Sequence, residues 1–130
     1  MNAQDIEKWL DSFASTAAQH DLQAHMAHIS QDIQVFGVPG FEVLDYQDWY
    51  RQCEHEFPQG LITAVEYSGV KLRNAAEQHV LFLVLEQVST ADGGHTRQAL
   101  EMLLERQAGN WLLKQLRILD QDEAVHHGLS

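Results

Sequence analysis

From Gly60 to Asp120 the chain alternates apolar and polar residues along three or four long strands, whereas the first half reads mainly as helices. This order limits the fold more than any other feature. A period of two marks strands with one buried face, and strands joined by tight turns form an antiparallel meander. Helices followed by a meander predict an α+β domain with the helices packed on one face of the sheet. Long strands twist and bend, so the sheet is expected to curl, cone-like, around about three N-terminal helices. A curled sheet closed by helices surrounds a hollow, which predicts a small-molecule pocket.

The helices are marked by spacing and caps. Ile6, Trp9, Leu10, Phe13 and Ala17 form one apolar stripe over Asp5 to Gln19. Asp21 is the expected N-cap of a short second helix, with Leu22, Met26 and Ile29 inward. Ile33 to Gly37 reads as a short strand entering the Gly37–Gly40 turn, which gives the antiparallel sheet a mixed edge. Asp45 caps a third helix running to about Phe57, and Pro58-Gln59-Gly60 ends it. Strands are predicted from Leu61 to Arg73, Gln78 to Thr90, His95 to Gln107 and Trp111 to Leu119, with Gly69 as a candidate bulge. Residues 1–120 make one domain, and the polar segment 121–130 is expected to be a flexible tail.

Charge narrows the partners. The net charge is −11 and the eight Lys and Arg residues are scattered, which argues against nucleic acid and anionic membranes. No apolar run approaches the ~20 residues of a membrane span. Met1 to Asp5 lacks the basic and apolar regions of a secretory signal, so a cytoplasmic location is expected. The single Cys53 excludes an internal disulfide and a Cys-based zinc site. Val80 to Leu85 is apolar on both faces, and Leu103, Leu112 and Leu116 are expected to extend the outer one. A homodimer through the outer sheet face is the simplest cover.

His20-Asp21-Leu22, Asp32-Ile33-Gln34-Val35, the Gly37-Val38-Pro39-Gly40 turn, the helix Trp49 to Phe57 and the closing strand Trp111 to Leu119 together resemble the nuclear transport factor 2-like superfamily, specifically its SnoaL-like branch. The resemblance covers about residues 4 to 120. It implies a cone-shaped, cystatin-like roll with a deep pocket and frequent dimers. Members include ketosteroid isomerases, dehydratases, polyketide cyclases, epoxide hydrolases and non-catalytic binding proteins, and fold alone does not choose among them. The isomerases' Tyr position falls on Phe13, their Asp base on Gly37 and their second Asp near Met102. None of these side chains ionises or donates a comparable hydrogen bond, so that isomerase chemistry is not expected.

With Met102 facing the cavity, Leu100 and Leu104 join it. The same alternation aims Trp111, Leu113, Gln115, Arg117 and Leu119 inward along the last strand. Arg117 would then hold an anionic group and Gln115 would be its polar neighbour, with Phe13, Met102 and Leu104 as apolar wall. His25, beside the inward stripe of its helix, and His79, at the start of the apolar strand, are the candidate acid/base groups. His25 and His28 stand three apart but lack a third ligand, so no metal and no cofactor are expected. The leading expectation is a pocket protein for a largely apolar ligand with a polar or anionic end. The alternatives are a SnoaL-like isomerase, cyclase or dehydratase using a pocket His, and a non-catalytic dimerisation or protein-interaction module.

Overall fold

A computed structural model describes residues 1–129. Two helices precede the first strand of the sheet and a third follows it. Helix α1 (Ala3–Ala18) starts in a capping box between Asn2 and Asp5. Asp21 caps the five-residue α2 (Leu22–Met26), and Asp45 forms a second capping box with Asp48 at α3 (Tyr46–Glu56). A 3-10 turn over Phe57–Gln59 follows, with Pro58 near its start and Gly60 in the left-handed conformation at its end.

The five strands are β1 (Ile29–Phe36), β2 (Ile62–Ala75), β3 (His79–Thr90), β4 (His95–Gln107) and β5 (Asn110–Ile118). Their order in the sheet is β1-β5-β4-β3-β2, antiparallel throughout except for the parallel β1–β5 edge. This is the expected curved α+β roll with a mixed edge. Its core lies between the α1 stripe (Ile6, Leu10, Phe13) and the concave rows of the sheet, Val80, Phe82 and Val84 on β3 with Leu100, Met102 and Leu104 on β4. Each of these nine side chains is almost wholly removed from water, and such rows are the main stabilising element of a roll this size.

Bulges set the curvature and the facing of side chains. Gly69, with φ of +69°, sits where the β2–β3 register shifts between Ser68 and Lys71, a backbone conformation that favours glycine. A second bulge lies in β5. Leu104 pairs with Leu113, yet the preceding Leu103 pairs with Gln115, so Lys114 is the extra residue. It corrects the facing expected for the rest of that strand. Leu113 points inward as expected, but beyond the bulge Leu116 and Ile118 take the concave face and Gln115 and Arg117 the convex one. Gly37 (φ +93°) lies against Ile118, where a Cβ would meet the Ile118 carbonyl oxygen at 2.9 Å.

Residues 121–129 of the segment expected to be a flexible tail fold against the sheet, and Ser130 lies outside the described residues. Asp120 caps α4 (Gln121–His126), and the chain then folds back so that the Leu129 N–H donates to the Ala124 carbonyl. Ala124 and Leu129 pack with Leu83, Leu85, Ala99 and Leu119, covering part of the convex face. Leu119 therefore lies under α4, outside the cavity. The Lys71 ammonium donates to the His127 carbonyl and ties the cover to β2. Leu81, Leu103 and Leu112 remain half-buried on the convex face. Among the described residues no helix is long and apolar enough to cross a membrane.

Candidate functional site

Between the concave face and α1–α3 lies a cavity of about 340 Å³. α1 contributes Phe13 and Ala17, α2 contributes His25, and α3 contributes Trp49, Gln52, Cys53 and Glu56. The sheet adds Val65 and Tyr67 from β2, Glu86 and Val88 from β3, Gln98 and Leu100 from β4, and Leu116 and Ile118 from β5. Gln52 is exposed and Glu56 half-buried, so the mouth opens beside the last turns of α3.

One polar cluster stands on the sheet. Tyr67, Glu86 and Gln98 are register neighbours on β2, β3 and β4, which places their side chains in one row across the concave face. The Tyr67 hydroxyl donates to Glu86 Oε2 at 2.8 Å, and Gln98 Nε2 donates to Glu86 Oε1 at 3.0 Å. Burial, then the adjacent Glu86 carboxylate, pushes the Tyr67 hydroxyl well above the ordinary tyrosine pKa. The phenol therefore remains a donor at neutral pH.

A second polar chain crosses the helix side. The Thr16 hydroxyl donates to the Phe13 carbonyl at 2.8 Å, which leaves its oxygen to accept from His25 Nδ1 at 3.0 Å. The Trp49 indole N–H donates to His25 Nε2 at 3.3 Å. These directions select the neutral Nδ1–H tautomer. Burial, reinforced by neighbouring His28, pushes the His25 pKa down to about 4. Its ring stacks on Phe13 with centroids 4.6 Å apart. Cys53 is buried and its thiol is pushed up to about 12 by burial and then by Glu56, which makes it an inert wall.

The sequence-derived candidates separate in space. Phe13 and His25 line the cavity. Met102 and Leu104 face the concave side but are packed into the core and do not line it. The β5 bulge turns Arg117 and Gln115 to the opposite face, where Arg117 donates to both oxygens of Glu123 at 2.8 and 2.9 Å and to Glu101 at 3.3 Å. His79 is exposed on the convex side beside Glu105, at 2.9 Å. Among the described residues no three His, Cys, Asp or Glu side chains gather as a metal site. Tyr67, Glu86 and Gln98 are not among the residues singled out by the sequence pattern. Their signal is positional: Glu86 continues the inward Phe82–Val84 row, and Gln98 precedes the inward Leu100–Met102–Leu104 row.

A family model described as a SnoaL-like domain matches residues 6–118. No curated protein matches. Among solved structures, an NTF2-like protein of unknown function from Shewanella oneidensis superposes with a TM-score of 0.77 at 12% identity, over 92% of this chain and 100% of that one. An NTF2-like protein from Cytophaga hutchinsonii gives 0.73 at 15% identity, over 91% and 98% of the two chains. A provisionally assigned scytalone dehydratase from Novosphingobium aromaticivorans gives 0.71 at 12% identity, over 87% and 79%. At these identities the superpositions establish a shared fold.

Proposed function

This chain belongs to the SnoaL-like domain family, and on that premise we propose that it binds a small, largely apolar organic molecule in the α1–α3 cavity. The observation that carries this reading is the cavity itself: about 340 Å³, walled by aliphatic and aromatic side chains, with one organised polar row, Tyr67–Glu86–Gln98. A hollow of that size with few, convergent polar groups suits a small ligand. The polar end of the ligand meets Glu86, and Arg117 and Gln115 have no part in holding it.

Native mass spectrometry of the purified protein tests the reading. A retained small molecule, displaced in a Val88→Trp variant that fills the cavity but keeps the fold, is the expected result. A ligand that survives the filled cavity would refute it.

A second reading is enzymatic, favoured by the Tyr67–Glu86 contact. A carboxylate held by a phenol in an apolar hollow can move a proton to or from a bound substrate. Glu86 takes that role in preference to His25, whose Nδ1–H is committed to Thr16 and whose Nε2 already accepts from Trp49. Deuterium gained by the bound molecule in heavy water, and lost in Glu86→Gln, would establish this reading; an unlabelled ligand would leave binding alone.

The half-buried Leu81, Leu103 and Leu112 on the convex face support a further element of the reading, a homodimer through the part of that face which α4 leaves uncovered. Light scattering should report a dimer that Leu103→Glu dissociates. A monomeric parent protein would contradict it.

A further inference from the structure

We propose that the polar end of the ligand is a cation, an ammonium group on a compact aromatic or aliphatic body, received by Glu86. The inference rests on the ligand-binding reading above and specifies its chemistry.

The cavity is lined by carboxylates and by no permanently cationic side chain. Its lining includes two carboxylates, Glu56 and Glu86, and neither Lys nor Arg. Glu86 is half-buried, and its two hydrogen-bond partners are a phenol and an amide, both neutral. The protein thus supplies donors to the carboxylate but no opposing charge. A half-buried charge of this kind is stabilised by a counter-ion. Each Glu86 oxygen accepts one bond from the protein, which leaves acceptor capacity for the N–H groups of an ammonium.

The other walls agree. Phe13, Trp49, Phe57 and Tyr67 all line the hollow, with the Phe13 centroid 6.2 Å from that of Trp49 and 6.5 Å from that of Tyr67. Aromatic faces attract organic cations. His25, the remaining nitrogen base of the lining, is fixed as a neutral ring by the direction of its two hydrogen bonds, so it brings no positive charge to receive an anion. The net charge of −11 also raises the local concentration of cations near the mouth. A carboxylate ligand would meet Glu86 and Glu56 with like charge.

Three probes with one body and different heads test this by calorimetry: phenylbutylamine, phenylbutanol and phenylbutyrate. The amine should bind about tenfold more tightly than the alcohol, and phenylbutyrate most weakly. Glu86→Gln, which preserves shape, should weaken the amine by about thirtyfold and leave the alcohol within about twofold. Glu56→Gln at the mouth should cost the amine less. Equal or tighter binding of the alcohol or of phenylbutyrate would overturn the cation assignment and leave the pocket reading standing. Failure of all three to bind would overturn both. The comparison among probes needs no variant, so it holds even where Glu86→Gln does not fold.

Discussion

On the convex face of the sheet Arg117 lies between Glu101 and Glu123, so its charge is matched within the chain, and His79 hydrogen-bonds Glu105. On the concave face Glu86 is held by Tyr67 and Gln98 alone. Strands β3 and β4 contribute to both arrangements, with His79, Glu101 and Glu105 on one face and Glu86 and Gln98 on the other. Side chains that exist to hold the fold find their counter-charges internally, as the guanidinium of Arg117 does with Glu101 first and Glu123 second, which raises its pKa further. The row that lines the hollow is polar, oriented and left without a counter-charge. That contrast is why we propose the concave row as the ligand site.

Substitutions on the two faces should separate accordingly, beginning with the deepest. Phe82→Ala removes a side chain with no exposed surface at the concave core and should cost about 3–5 kcal/mol in chemical denaturation; a loss near 1 would mean that the concave core is loosely packed.

The pH response of His25 comes next. Its pKa falls from the ordinary 6.5 to about 4 on folding, so the unfolded chain binds the extra proton between those values. Stability from this group is therefore complete above about pH 6.5 and declines as pH falls toward 4, by up to about 3 kcal/mol. The denaturation midpoint of His25→Gln should accordingly depend less steeply on pH across that window than that of the parent. Parallel pH profiles would show that His25 titrates normally.

Leu129→Ala probes the convex cover and should cost about 2 kcal/mol, with faster amide exchange confined to α4 and the strands beneath it. Arg117→Gln should cost about 1 kcal/mol or less, because its ion pairs are partly solvated. It should leave affinity for a cavity ligand unchanged. A large loss of affinity in that variant would dissolve the distinction between the faces.

Much of this architecture was legible in the residues. Asp21 and Asp45 announced their helices because a carboxylate before an apolar stripe satisfies free N–H groups, and both do so here. Gly69 announced a bulge, and the ends of β2 to β5 lie within about two residues of those expected, whereas β1 begins at Ile29, four residues before the expected Ile33. The facing of β5 was not legible. Leu112, Leu113 and Leu116 fit either face, and the extra residue at Lys114 reverses the alternation without a glycine to betray it. Strict alternation therefore aims Arg117 into the hollow, whereas the bulge turns it to the outer face. The order of α4 was hidden for a related reason, since Ala124 and Leu129 are the only buried apolar side chains in residues 121–129, an otherwise polar segment. Glu86 could have been found. A carboxylate in phase with Val80, Phe82 and Val84 interrupts a buried row, and a polar residue there calls for a functional explanation.

Methyl NMR during titration with phenylbutylamine is the most direct examination of the division between the faces. Shifts should concentrate on Val65, Val88, Leu100 and Leu116 around the hollow, while Leu83, Leu85 and Leu129 under the convex cover stay still. Shifts confined to the convex leucines, or none at saturating probe, would contradict a ligand site on the concave side.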